Sequence, residues 1–337
     1  MRWIALVENE HHVCCRYRIS AFVSWLEAHG YSLQPQRLPH RWWSRLGFYS
    51  SLRGQDVILQ RKLLPAWEIS LLRHLARRLI FDFDDAVFAR DSFASKGFQD
   101  SRRRRRFAAT MRACDAVVAG NTFLAAEAAR YTQPDRIHVI PTCVNPDHFR
   151  VPVNKANTGV VHLVWIGSSS TLQGLERIAP LLEELGRALP SLRLKVICDR
   201  FPHFRHLTVM PSTWSEATET VELASADIGI SWIPDGLWSR GKCGLKILQY
   251  MAAGLPVVAN PVGVQCEMVR HGETGFLADT PAEWLAALRS LAENPGLRQD
   301  MGSAGRQRLE ADYGVAVGAR GWLTLLNELA PRQHMAG

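Results

Sequence analysis

The sequence predicts an α/β protein built from two domains with parallel sheets, and three observations carry that expectation. Strand-like and helix-like runs alternate along the chain, the pattern of parallel α/β architecture. Interior strand candidates such as Val257–Ala259 are continuously apolar, as strands covered on both faces are. The alternation pauses at 144–158, VNPDHFRVPVNKANT, a stretch with two prolines and three asparagines that reads as an interdomain linker, and then restarts. A length of 337 residues suits two domains of ordinary size, here placed at 1–150 and 151–315 with a closing helix at 316–330.

The elements follow in order. In the first half, 3–7 reads as a strand and 17–28 as a helix that stops near Gly30. Strands are expected at 57–60, 79–83, 116–119 and 137–140, with helices at 102–114 and 122–131 between them. In the second half, 161–166 is a strand followed by the short polar run 168–171 and a helix over 175–189. Strands at 192–198 and 207–210, a helix at 215–225 and closing helices at 282–292 and 316–330 complete the reading.

Residues 241–263, GKCGLKILQYMAAGLPVVANPVG, carry the densest local information. Lys242 and Gly244 stand at an expected helix start. Leu245, Leu248, Met251 and Ala252 share one apolar face, leaving Lys246, Gln249, Tyr250 and Ala253 on a polar one. Gly254 can end the helix in a left-handed conformation and Pro256 cannot continue it. Helix starts and glycine amides accept anions, so this segment with its two lysines predicts recognition of a phosphorylated ligand.

Composition narrows the classes. No apolar run approaches the ~18–20 residues of a membrane span. The start, MRWIALVENE, has too short an apolar run for a signal peptide and meets acid at Glu8, so a cytoplasmic protein is expected. The seven cysteines are scattered without a CxxC pair, which fits reduced thiols. HHVCC at 11–15 resembles a metal site, but adjacent Cys14 and Cys15 share one tetrahedral ion poorly and no second ligand pair is evident. Charge is uneven: residues 1–150 carry a balance of +9 and the remainder −1, within a total of +8. A basic first half predicts an anionic partner there, such as a membrane surface or a phospholipid-linked substrate. Nucleic acid is the poorer candidate, because the arginines at 102–106 lack interleaved aromatics or a binding module.

The 241–263 segment resembles the nucleotide-sugar half of the GT-B glycosyltransferases, specifically family 4 (group 1). DIGISWIP at 227–234 and EMVRHGETGFLAD at 267–279 resemble its neighbouring elements. IFDFDDAVF at 80–88, CDAVVAGNTFLAAEAARY at 114–131 and IPTCVNPDHF at 140–149 resemble parts of its first half. The resemblance implies the GT-B fold, two facing Rossmann-like domains with a cleft between them and the last helix crossing back to the first. It implies a retaining transferase that moves a hexose or N-acetylhexosamine from a UDP- or GDP-linked sugar to a hydroxyl acceptor. That acceptor would be a glycan or a lipid-linked glycan in envelope or exopolysaccharide synthesis, at the inner face of a membrane. It implies no metal and no cofactor beyond the donor. Two alternatives remain open: a sugar-nucleotide epimerase of the same fold, and a non-catalytic nucleotide-binding homologue.

Four segments are candidate chemistry. Many family members carry two glutamates in the region of 241–249; aligned here, those positions hold Gly241 and Gln249. The donor-binding set is Gly167, Ser168, Thr171, Gly241, Lys242, Cys243, Gly244, Lys246 and Gln249, with Lys242 and Lys246 neutralising the diphosphate. GSSST at 167–171 can cradle a phosphate or simply cap a helix. Asp82, Asp84 and Asp85 look like the DxD metal motif of the GT-A fold, but the GT-B features elsewhere place them at a strand end, accepting an acceptor hydroxyl or orienting a basic residue. Arg16 and Arg18, in the loop expected after the first strand, are the acceptor-side cations, able to contact phosphate or pair with those aspartates.

Overall fold

A computed structural model describes residues 1–94, 97–150 and 159–330. It contains two six-stranded sheets in which every neighbouring pair is parallel.

The first sheet has the order β2-β1-β3-β4-β5-β6. Its strands are β1 (Arg2–Val7), β2 (Ser32–Arg37), β3 (Asp56–Gln60), β4 (Arg78–Phe83), β5 (Ala116–Ala119) and β6 (Ile137–Val139). The second has the order β12-β11-β10-β7-β8-β9. Its strands are β7 (Val161–Ile166), β8 (Leu192–Cys198), β9 (Thr208–Thr213), β10 (Ile228–Ser231), β11 (Val257–Ala259) and β12 (Gly275–Leu277).

The chain divides into two compact units. One holds Met1–Cys143, Gly241–Cys243 and the chain from Val315 onward; the other holds Val144–Arg240 and Gly244–Gly314. The start of the expected linker belongs to the second unit, where the Val144 N–H donates to the Tyr313 carbonyl at 3.1 Å. Residues 151–158 of that stretch lie outside the described residues.

Each unit has its own apolar core. In the first, Trp3, Ala5, Ile58, Ile80 and Val118 of the central strands pack with Phe22 and Leu26 and with Trp322, Leu325 and Leu326 of helix Val315–Glu328. In the second, Leu163, Trp165, Leu194, Val196 and Ile230 pack with Leu182, Leu185, Trp284 and Leu288. Full burial of a side chain of this size stabilises by about 1.5–3 kcal/mol, so the two clusters dominate the folding energy.

Several elements differ from the sequence reading. β2 contains Pro35 and one other apolar side chain, Leu33, and was not expected; it is an edge strand, where a missing N–H is tolerated. The expected helix 175–189 is two, Ser169–Arg177 and Ala179–Ala188, parted at Ile178 because Pro180 has no N–H to continue the ladder. The loop expected at 8–18 already contains helix Val13–Arg18. Helices Trp42–Ser50, Ala66–Leu75 and Pro295–Asp312 were also not expected.

Candidate functional site

In the first sheet β1 has β2 on one side and β3 on the other. Successive connections therefore leave in opposite directions between β1 and β3. Open α/β sheets bind ligands beyond the carboxyl ends of strands at such a point. Here that position holds a cluster of charged side chains.

After β1, helix Val13–Arg18 begins with His12 Nδ1 accepting the Cys14 N–H at 3.2 Å. Gln60, the last residue of β3, ties this helix down by donating its amide to the Cys14 carbonyl at 3.0 Å. Arg61 follows with φ +56°, the non-glycine residue with positive φ among the described residues. Such backbone costs of order 1–3 kcal/mol and concentrates at functional sites. The conformation aims the Arg61 guanidinium at Asp84 (3.4 Å) and Asp85 (2.7 Å), with a further hydrogen bond to Cys14 Sγ. Burial, then the neighbouring Asp84 charge, pushes the Cys14 thiol well above its usual range, so it stays protonated. Cys14 Sγ and the two carboxylates lie within 4.8 Å of one another, but Arg61 already supplies their countercharge.

The expected acceptor-side arginines part company. Arg18 is fully buried; it donates to Asp82 and to the Ile140 carbonyl at 2.6 Å. Burial opposes its charge, but Asp82 outweighs that and raises its pKa. Arg18 and Asp82 are therefore internal ties between β4, the start of the chain and the segment after β6. They have no surface with which to meet a substrate. Arg16 is half-buried, its guanidinium 5.1 Å from the Tyr17 ring centroid.

Gly241, Lys242 and Cys243 belong to this first unit. The Asn121 amide donates to the Lys242 carbonyl at 3.0 Å, and Lys242 Nζ lies 3.4 Å from Asp85. Gly241 is packed so closely that an added Cβ would stand 2.8 Å from the Ala86 N and Cβ. The side chain at the first family-glutamate position thus has no room here. Lys242 also does not sit at the helix start, as expected; it pairs with an aspartate instead.

The second unit repeats the topological argument. β7 is flanked by β8 and β10, so its turning point lies beyond Ile166 and Ser231. Tyr250 spans that point. Its hydroxyl accepts the Ile166 N–H at 3.2 Å and donates to the Ile230 carbonyl at 3.1 Å. Helix Leu245–Ala252, which carries Tyr250, starts at Gly244 with φ +64°, a left-handed conformation that favours glycine. Below it, Ser231 donates to Gln265 Oε1 at 2.6 Å, and the Gln265 amide donates to Asn260 Oδ1 at 2.9 Å. These bonds fix the strand ends that frame the site.

Gly167 follows β7 directly. A Cβ there would stand 2.6 Å from Lys246 Nζ, Thr171 Oγ1 and the Trp165 ring. Lys246 lies over the Trp165 ring, 3.8 Å from its centroid. A lysine held over bare backbone at a strand end is a cationic floor for an anion. Ser168 and Thr171 act as caps: the Thr171 hydroxyl accepts the Ser168 N–H at 3.2 Å. Asp199 Oδ1 already accepts the Ser169 N–H at 2.8 Å, so an incoming phosphate meets a carboxylate at this helix start. Gln249 and Tyr250, on the face expected to be polar, are both buried. The structure thus gathers Gly167, Thr171 and Lys246 at one turning point, and Lys242, Asp84 and Asp85 at the other.

Arg61 was missed in the sequence. It follows a strand of five buried residues and precedes Lys62, so nothing but its place after β3 marks it.

Comparison with known proteins bears on this arrangement. Residues 237–308 match the family described as glycosyl transferases, group 1. The solved structure of sucrose-phosphate synthase from Thermosynechococcus elongatus superposes with a TM-score of 0.75 at 15% identity, covering 97% of this chain and 98% of that one. The fold is GT-B, and residues 237–308 are a group 1 glycosyltransferase segment. This segment contains Lys242, Lys246 and Gln249 and ends within helix Pro295–Asp312, which packs on helix Leu245–Ala252. The chain is 27% identical over 239 residues to D-inositol 3-phosphate glycosyltransferase from Streptomyces scabiei, covering 60% of this chain and 51% of the relative. It therefore spans about half the length of that relative, and less of others. The Anabaena protein HepE, solved in complex with UDP-glucose, shares the fold at TM-score 0.66 and 13% identity, covering 97% of this chain and 100% of that one.

Proposed function

We propose that this protein is a retaining glycosyltransferase that moves a hexose or N-acetylhexosamine from a nucleoside diphosphate sugar to a hydroxyl acceptor. The observation that carries the reading is Lys246 Nζ held over Gly167 at the β7–β10 turning point. The diphosphate would lie against the Gly167 backbone with Lys246 as its countercharge. That charge is needed most as the sugar–phosphate bond breaks and negative charge builds on the leaving oxygen. On a retaining course the departing diphosphate takes the acceptor proton on the same face, so no protein nucleophile is required. Neither a cofactor nor a metal ion is invoked, because lysine supplies the cation.

In the first unit, Asp84 and Asp85 are half-buried and held by Arg61. They would accept hydrogen bonds from acceptor hydroxyls, with Lys242 beside them to meet an anionic substituent. Uridine is the favoured base, since HepE of the same fold holds UDP-glucose. The relatives named for D-inositol 3-phosphate point to an acceptor that bears phosphate. A phospholipid-linked glycan in envelope or exopolysaccharide synthesis presents the same group, and either fits a basic first half. A peripheral position at the cytoplasmic face of a membrane follows for the lipid-linked case. Among the described residues no helix is long and apolar enough to cross one.

The test is transfer itself: UDP-glucose and UDP-N-acetylglucosamine offered with inositol phosphate or a polyprenyl-phosphate-linked sugar, the product's anomeric proton read by NMR. An α-linked product from an α-linked donor supports the reading; an inverted product contradicts it. A second reading, nucleotide binding without transfer, is favoured by one observation: the positions of both family glutamates lack a carboxylate, Gly241 through packing and Gln249 by residue type. Saturable donor binding with no transfer to any acceptor, and no slow hydrolysis of the donor, would select it.

A further inference from the structure

Three exposed tryptophans stand together on the first unit. Trp42 and Trp43 open helix Trp42–Ser50, and Trp67 lies in the first turn of helix Ala66–Leu75. They are 52%, 54% and 51% exposed, large values for side chains with so much apolar ring surface. The Trp42 centroid lies 5.8 Å from that of Trp43 and 6.2 Å from that of Trp67, both in edge-on geometry. Leu46, one turn beyond Trp42, is exposed as well.

A buried polar network with no part in the site holds this group in place. Arg45 makes a two-pronged ion pair with Glu68, which also accepts the Tyr49 hydroxyl at 2.6 Å. Arg45 further donates to the Pro39 and His40 carbonyls at 3.2 and 3.0 Å. Arg45 is two residues from Trp43, and Glu68 is next to Trp67. The pair therefore locks the two helix starts, and their indoles, against each other.

Arginines border the rings. Arg41 lies 5.3 Å from the Trp43 ring centroid. Helix Ser101–Ala113 packs on helix Ala66–Leu75, and the guanidinium of its Arg106 donates to the Leu63 carbonyl at 3.4 Å, just ahead of that helix. Arg102 lies one turn before Arg106 on the same helix, and so on the same side of it. The five-arginine run is not one uniform charged face. Arg103 donates to the Ala89 carbonyl at 2.9 Å, Arg104 pairs with Glu127 at 3.5 Å, and exposed Arg102 and Arg105 share the outer side of the helix. Acids of these helices are paired, Glu68 with Arg45 and Asp100 with Arg90 at 3.3 Å, and Glu8, which shares a small pocket with His40 and Arg45, pairs with Lys62 at 3.3 Å.

We propose that the Trp42–Trp43–Trp67 cluster, with Arg41 beside Trp43 and the exposed Arg102 and Arg105 on the helix packed against that of Trp67, seats the first unit on an anionic lipid bilayer. Indoles partition to the level of the headgroups, apolar body inward and N–H in the wet layer. Basic side chains beside them add attraction to an anionic leaflet that fades within a Debye length. Rigid rings with basic side chains on the same and the adjoining helix match that chemistry on both counts. This deepens the peripheral position proposed above by assigning the surface that makes it. It is independent of the donor chemistry, because seating requires no sugar nucleotide.

The experiment is co-sedimentation of the full chain with vesicles of phosphatidylcholine alone or mixed with phosphatidylglycerol, at low and high salt. Brominated lipids serve as quenchers of tryptophan fluorescence. Recovery with the anionic vesicles is expected to exceed that with neutral ones at least tenfold and to fall in high salt. W42A/W43A/W67A should lose at least tenfold in partitioning and most of the bromine quenching, with a melting temperature near the parent's. R41Q/R102Q/R105Q should lose the salt-dependent part only. Equal recovery with neutral and anionic vesicles overturns the proposal, as does a triple-tryptophan variant that partitions like the parent. Absence of vesicle binding, with the same tryptophans quenched by an acidic oligosaccharide, overturns it in favour of a glycan platform. Loss of vesicle binding with transfer to a soluble acceptor intact separates this proposal from the function itself.

Discussion

Lys242 Nζ lies 3.4 Å from Asp85, although 157 residues separate them in the chain. Three residues from the group 1 segment, Gly241 to Cys243, are built into the first unit, and the chain returns to the second at Gly244. The segment read as one donor-binding motif is thus shared between two bodies. Its two lysines have different neighbours: Lys242 an aspartate, Lys246 a tryptophan ring over a glycine.

Replacing Lys242 should therefore act mainly through the first unit. Lys242→Ala leaves Asp85 to Arg61 alone and removes a cation from the acceptor group. A charged hydrogen bond contributes about 1.5–3 kcal/mol, which corresponds to roughly a tenfold to hundredfold loss in kcat/KM for a phosphate-bearing acceptor. Donor affinity, read by calorimetry, should change less than threefold. A donor-affinity loss as large as the loss in kcat/KM would place Lys242 at the diphosphate instead.

Arg18 and Asp82 form a fully buried pair. Removing one member leaves the other charged and unpaired, at a cost of about 3–5 kcal/mol. Asp82→Asn and Arg18→Met should each lower the urea midpoint strongly, while the double variant Arg18→Met/Asp82→Leu recovers part of the loss. Single variants as stable as the parent would show that the pair is not the internal tie described.

Gly241 cannot be converted to the family glutamate without a clash. The nearest obstacles are the Ala86 N and Cβ at 2.8 Å, and one of these is backbone. Overpacking of this kind costs about 1–3 kcal/mol. Gly241→Glu should lower thermal stability and not raise transfer activity, and Gly241→Ala should already show most of the stability loss. A stable and more active Gly241→Glu variant would mean that the loop opens to admit the side chain.

Transfer should be independent of divalent metal. Arg61 lies among Cys14, Asp84 and Asp85, where a GT-A-type cation would otherwise be sought. Activity after exhaustive chelation should stay within twofold of the untreated enzyme. Loss on chelation with recovery on adding manganese would assign those carboxylates to a metal.

The sequence made the central strands legible because each holds a continuous apolar run, 57–59 in β3, 79–81 in β4 and 116–119 in β5, and all of it is buried. It hid β2, whose Pro35 and polar side chains are acceptable only at an edge, a property of sheet order and not of local composition. Helix Pro295–Asp312 was hidden for a related reason. Its contact face uses Gly302, where an added Cβ would stand 2.0 Å from the Gly254 carbonyl oxygen, so close packing replaced the apolar stripe a reader looks for. At the site, Lys246 and Gly167 could be named from their segments alone. The Arg61 clamp, the burial of Arg18 and the pairing of Lys242 depend on contacts between segments far apart in the chain, which no local pattern records.

Calorimetric titration of UDP-glucose into the parent protein and into Lys246→Ala is the most direct test of the central claim, that the second unit binds a nucleoside diphosphate sugar through Lys246 above Gly167. The account predicts saturable one-to-one binding by the parent and at least tenfold weaker binding by the variant, with both proteins melting at similar temperatures. Equal affinity of the two proteins, or no saturable binding of UDP-glucose or any other nucleoside diphosphate sugar by the parent, would contradict it.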